Sequence, residues 1–216
     1  MKTELITLAL VAIFMTSCKS SYYYTASYNV QLATVESPAD AKKQFGETKV
    51  VNFKDGEVNK YRYEDDYIEI IWYVSAYKFY FDLRNKSNYT IKINWDDISY
   101  VDYDGKVGRV MHSGVKYIDR NSSQPATTIP KDASIKDVLV PTENVYLIPG
   151  LYGGWREKLL IPGIYSSREA FANSASTYIG KTMRILMPIM IENVQNDYTY
   201  EFSIESLLNP EVGKKK

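Results

Sequence analysis

Two short stretches alternate so strictly that they leave little choice of fold. In residues 77–84, Tyr77, Phe79, Phe81 and Leu83 share one face; in residues 89–95, so do Tyr89, Ile91, Ile93 and Trp95. A period of two marks extended backbone with one buried side, because successive side chains of a strand point to opposite faces. Asn85-Lys86-Ser87-Asn88 lies between them and has turn chemistry, so the two runs are expected to pair as a hairpin. A second hairpin is expected for residues 98–103 and 106–112, with a type I′ turn at Asp104-Gly105. A third joins residues 183–192 to 198–205 through a polar turn over 193–197. Further strands are expected at 28–35, 48–53, 58–63 and 67–74.

Helical signals are few. Ser37-Pro38 opens a short run ending near Phe45-Gly46, and Ser166-Ser167-Arg168-Glu169 resembles a capping box before residues 170–179, with Gly180 as the stop. The expected fold class is therefore mainly β: one antiparallel sandwich of eight to ten strands, immunoglobulin-like, with one or two short helices. It occupies residues 28–210 as a single domain. Residues 121–125 (Asn-Ser-Ser-Gln-Pro) are expected as a flexible connector, and residues 211–216 form a basic tail. The 20 tyrosines suit this class, since tyrosine fits a pleated, half-buried surface.

The N-terminus has a different grammar. Lys2 precedes an apolar run over residues 5–14, then Met15-Thr16-Ser17-Cys18. The apolar run is shorter than the ~20 residues a membrane-spanning helix needs, and the order is that of a secretory signal. Met15-Thr16-Ser17-Cys18 resembles the lipobox of bacterial lipoproteins. The resemblance implies a signal peptide over residues 1–17, acylation of Cys18 as the new N-terminus, and a tether over 18–27. Lys19 in place of an aspartate implies outer-membrane attachment facing the periplasm. A second resemblance covers about a quarter of the chain. Residues 81–87 followed by 90–93 look like the core hairpin of uncharacterised immunoglobulin-like envelope lipoproteins, which supports the fold and implies no activity.

Composition removes several functions. Cys18 is the sole cysteine, so there is neither a disulfide nor a thiolate metal cluster. Lys plus Arg and Asp plus Glu are equal at 26 each, and the one basic run is residues 214–216, which speaks against nucleic acid as a partner. His112 is the single histidine. Ser113 beside it would point to the opposite face of a strand, and no Gly-x-Ser-x-Gly elbow exists, so no catalytic residue is assigned. No cofactor is expected beyond the covalent lipid. Asp96, Asp97, Asp102 and Asp104 are calcium candidates, although Asp104-Gly105 is explained by its turn. Glu64, Asp65 and Asp66 are available as paired carboxylates for glycoside hydrolysis, without a signature that selects a pair.

Residues 144–165 are the least ordinary part of the body, dense in Tyr, Gly, Pro and Trp. Tyr152, Trp155 and Arg156 are of the types that anchor interfaces and are the candidate partner-binding residues. The alternative is that Trp155 plugs one end of the sandwich. Trp72 and Trp95 are expected in the core. These readings describe a membrane-anchored envelope protein, not an enzyme, that binds an envelope protein or glycan. An envelope hydrolase acting on glycans or peptides, and a structural component of an envelope complex, are the alternatives.

Overall fold

The computed structural model describes residues 22–36, 49–56 and 58–214. Cys18, the signal segment and the helix expected after Ser37 lie outside the described residues. The body is mainly β, as its alternation requires. One curled antiparallel sheet wraps into two layers that face each other. The first layer contains β1 (Tyr22–Glu36), β6 (Ile91–Ile93), β7 (Ser99–Val101), β8 (Val107–Met111), β9 (Thr127–Ile129), β13 (Ile164–Tyr165), β14 (Thr182–Ile191) and β15 (Val194–Lys214). The second contains β2 (Lys49–Asp55), β3 (Val58–Glu64), β4 (Ile68–Val74), β5 (Phe79–Asn85) and β10 (Ser134–Pro141). β10 joins them: Ser134 to Leu139 pair with β5, then Val140 and Pro141 pair with β8. Such a strand that changes layers makes the corner of a sandwich.

The aromatic faces meet between the layers. Trp72 of β4 packs 4.9 Å from Tyr200 and 5.5 Å from Phe202 of β15, and Phe79 lies 5.1 Å from Phe202. Tyr198, Tyr200, Phe202 and Ile204 are all buried, as their alternation demands, and so are Trp72 and Trp95. A buried carboxylate serves this core. Asp65 accepts hydrogen bonds from the Tyr63 and Tyr198 hydroxyls and from the Tyr67 and Ile68 amides.

The first expected hairpin does not form. β5 pairs with β4 and β10, whereas β6 pairs with β14 and β9. The intervening turn instead carries the chain from one layer to the other. Asn85, fully buried, decides this: its amide donates to the Tyr89 and Ile129 carbonyls, and its Oδ1 accepts from the Ser87 amide and hydroxyl. The side chain thus completes an Asx turn aimed across the core, where a hairpin would have returned the strand beside itself. Tyr89 consequently lies outside the strands and is exposed, and so does Tyr77, in the bend ahead of β5.

Other expectations are refined. The second hairpin forms, but only Gly105 of its turn has positive φ (+82°). Asp102 Oδ1 accepts from the Asp104 and Lys106 amides, and the turn is a three-residue loop with a left-handed glycine. The third hairpin turns tightly at Glu192-Asn193, so β15 begins at Val194. In α1 (Arg168–Ser174) the cap is Ser167, whose hydroxyl accepts from the Ala170 amide, one residue later than the expected box. Residues 121–125 are strapped to the body: buried Gln124 donates to the Val110 carbonyl and accepts from the His112 amide. Strand pairing also reaches into the expected tether and tail, with Tyr22 opposite Lys214.

Candidate functional site

Residues 145–157 fold as β11 (Val145–Ile148) and β12 (Gly154–Glu157), a two-stranded sheet of its own beside the main one. The register sets Leu147 opposite Trp155 and Tyr146 opposite Arg156. Its base is closed by the Lys158 amide donating to the Asn144 carbonyl at 2.7 Å, its tip by the Gly153 amide donating to the Gly150 carbonyl at 3.0 Å. The tip demands glycine: a Cβ on Gly153 would sit 2.1 Å from the Ile148 carbonyl oxygen.

The three candidate partner-binding residues separate onto different surfaces. Tyr152 stands at the tip, 91% exposed beside Leu151 at 92%. Trp155 faces inward, half-buried against a small cluster of Met111, Val140 and Val145. The Tyr117 ring meets it edge-on at 6.1 Å, and the Arg120 guanidinium lies 5.1 Å above it. Trp155 therefore fixes the hairpin to the body through this small cluster, apart from the inter-layer core. Arg156, on the outer face, is exposed and donates to the Trp155 carbonyl. Beneath, Glu157 accepts from the Tyr117 hydroxyl and pairs with Lys78 at 2.7 Å.

A cleft of about 500 Å³ opens between the hairpin base, the β7–β8 turn and the segment 159–164. Three cations line it (Lys106, Arg109, Lys158), and three carboxylates do (Asp102, Glu143, Glu157), so its formal charge balances. Several are already engaged, Lys106 with Glu143 and Arg109 with Asp96. Tyr77, Tyr103 and Tyr146 supply aromatic surface. Burial, with the neighbouring Tyr178 next in effect, pushes the Tyr103 hydroxyl up to about 12, so it keeps its proton and can donate. Across the segment 159–164 lies a more apolar cavity of about 450 Å³, bounded by Tyr28, Val30, Tyr73 and Met183. Gly163 lets that segment press onto β1: a Cβ there would fall 2.5 Å from the Ala26 carbonyl oxygen, and the Ala26 amide donates to the Gly163 carbonyl at 2.8 Å.

The carboxylates singled out in the sequence do not converge. Asp96 is held by Arg109, Ser123 and the Gln124 amide, and the Ser123 hydroxyl above all keeps its carboxyl below the usual range. Asp97 accepts from Asn94, Asp102 closes its turn, and Asp104 pairs with Lys181 at 2.7 Å. Among the described residues no group of three or more His, Cys, Asp or Glu is placed to hold a metal ion. Glu64 pairs with Arg62 and Lys86, Asp65 is buried in the core, and Asp66 is exposed. The His112 ring stacks on Trp95 at 4.0 Å with an interplanar angle of 5°, and its Nδ1 lies 3.2 Å from Asp137. Among the described residues no serine hydroxyl bonds this imidazole, so it packs and anchors the end of β8.

Sequence reasoning missed the cleft. Tyr77 had been placed in the core, and Lys106 and Lys158 carry no motif; only a glycine-spaced, aromatic stretch at 144–165 hinted that this end was unusual. No helix among the described residues is long and apolar enough to cross a membrane, which leaves strand-borne crossings unaddressed. No protein-family model matches the chain, and a comparison with curated proteins gives no match. Among solved structures the chain is similar to the crystal structure of structural-genomics target SoR45, at 12% identity and a TM-score of 0.23, covering 85% of this chain and 84% of that one.

Proposed function

We propose that this chain is a lipid-anchored envelope protein whose sandwich acts as a binding module, with the cleft beside β11–β12 as its ligand site and a neutral glycan chain as its ligand. The observation that carries the ligand class is the balanced lining of the cleft: three cations against three carboxylates, with tyrosine rings between. A strongly charged ligand would meet as much repulsion as attraction there. Sugar hydroxyls, in contrast, hydrogen-bond to either sign, while the apolar faces of pyranose rings lie against the partly exposed Tyr77 and Tyr146. The proposed anchor is Cys18, acylated and attached to the outer membrane on its periplasmic side.

The test is a glycan array probed with the full-length protein in detergent, followed by titration of any hit. Tyr77→Ala is expected to weaken binding about tenfold, the loss of one aromatic contact of roughly 1.4 kcal/mol, with unchanged thermal stability. A wild-type protein that binds no glycan while in-cell crosslinking through the cleft recovers one discrete envelope protein would replace the glycan by that partner. Acylation is tested separately. Cys18→Ser is expected to abolish acyl labelling and leave uncleaved precursor; unchanged labelling and processing would remove the anchor from the proposal.

A further inference from the structure

The tip of the β11–β12 hairpin is a surface that folding does not explain. Residues 145–155 are eleven consecutive residues without a charge. Leu151 and Tyr152 are almost wholly exposed there, and Leu147 and Ile148 are about half exposed. Contiguous apolar surface of this kind marks a site of interaction. Two features decide what meets it. First, the projection is a narrow hairpin, held by the β11–β12 ladder and the Gly150–Gly153 turn bond, with apolar side chains foremost. It is suited to the interfacial layer, where water still reaches the backbone groups of the tip, and not to the hydrocarbon interior. Second, cations sit behind the tip, and none of them forms an ion pair among the described residues. Arg156 bonds only the Trp155 carbonyl, Lys158 lies 5.7 Å over the Tyr146 ring, and Arg120 caps Trp155.

We infer that this hairpin is a membrane-docking wedge: Leu151 and Tyr152 enter the interfacial layer of an anionic bilayer, and Arg156 and Lys158 contact lipid phosphates behind them. Apolar and aromatic residues foremost, with cations behind them at the headgroup level, is the order of interfacial segments. A protein partner would be expected to offer the tip some polar complement, and the tip has no side-chain group beyond the Tyr152 hydroxyl to receive one. The inference does not rest on the anchored reading.

The test uses the full-length chain carrying Tyr152→Cys or, as a control on the exposed far turn, Lys131→Cys, each labelled with an environment-sensitive fluorophore. The probe membrane is vesicles of phosphatidylethanolamine with phosphatidylglycerol. Mass spectrometry of the labelled product reports at the same time whether Cys18 is acylated. The label at 152 is expected to shift to the blue and to be quenched by nitroxide lipids, while the label at 131 stays in water. Arg156→Gln is expected to lower the inserted population about fivefold, the effect of one cation near an anionic surface. A label at 152 as wet as that at 131 overturns the wedge, whether or not Cys18 is acylated. Insertion at 152 in an unacylated chain keeps the wedge and removes the anchor. Burial of 152 only when envelope proteins are added overturns it in favour of a protein partner. An equal effect of Arg156→Gln on purely zwitterionic vesicles, which carry phosphates but no net charge, overturns the attraction to an anionic surface.

Discussion

Tyrosine serves this protein in two opposite ways, and the contrast between the inter-layer core and the β11–β12 hairpin separates residues that build the fold from residues left over for contact. In the core, Tyr63 and Tyr198 lose water and are repaid by a carboxylate: both hydroxyls donate to Asp65. Their rings meet at 6.0 Å with edges toward faces, and burial pushes both hydroxyls far above the ordinary tyrosine range. On the hairpin, Tyr152 buries nothing and bonds nothing among the described residues, and Leu151 beside it is equally bare. Packing between the layers accounts for the core tyrosines, and nothing in the fold accounts for the bare pair at the tip.

The largest expected effect belongs to the core. Trp72→Ala removes the ring that touches Phe81, Tyr200 and Phe202. It should destabilise the protein by about 3–5 kcal/mol, measured by denaturant unfolding. A loss below about 1 kcal/mol would mean that the layers do not depend on this contact, and the comparison would fail at its first step.

Asp65→Ala should follow at about 3 kcal/mol, because it strands two hydroxyls and two amides in a buried site. Asp65→Asn is expected to lose less. Its carbonyl still accepts from the Tyr67 and Ile68 amides, and its amide donates where the two hydroxyls can accept. If Asn proves as harmful as Ala, the carboxylate's charge matters more than its hydrogen-bond pattern.

How much of this was legible beforehand follows the same division. Alternation in residues 198–205 placed every core side chain of that strand correctly, because burial of one face is a local pattern that a sequence writes out. The partner of each strand is not local. Asn85 reads as an ordinary turn residue, and only Tyr89 and Ile129 carbonyls brought from elsewhere make it the clamp that sends β6 to the opposite layer. The candidate site was half visible. Glycine and aromatic spacing flagged residues 144–165, yet Trp155 and Tyr152 look alike in sequence until the register turns one inward. The cleft was invisible, since Tyr77, Lys106 and Lys158 meet from three separate segments and none has a motif.

Smaller effects sharpen the contrast inside the core itself. Tyr198→Phe should cost about 1 kcal/mol by removing a bond to Asp65. Tyr200→Phe should be neutral or mildly stabilising, because the Tyr200 hydroxyl is buried without a partner among the described residues. The two substitutions delete the same atom from neighbouring positions of one strand face. Unfolding curves that move together would show that the hydroxyls are not distinguished by Asp65.

The smallest expected effect is the most telling for function. Leu151→Ser with Tyr152→Ser exchanges two exposed apolar side chains for small polar ones at the tip, away from Trp155 and its cluster. Surface changes of this kind stay within about 0.5 kcal/mol, so thermal unfolding should barely move. Folding would then be indifferent to two residues that expose apolar surface in water, and their role has to lie outside the fold. The same double variant should abolish bilayer entry of the hairpin while leaving glycan binding in the cleft intact, which separates the wedge from the ligand site in a single protein. A marked drop in melting temperature would reverse the assignment: the tip would be packed in solution, and the hairpin would belong with the core it has been contrasted with.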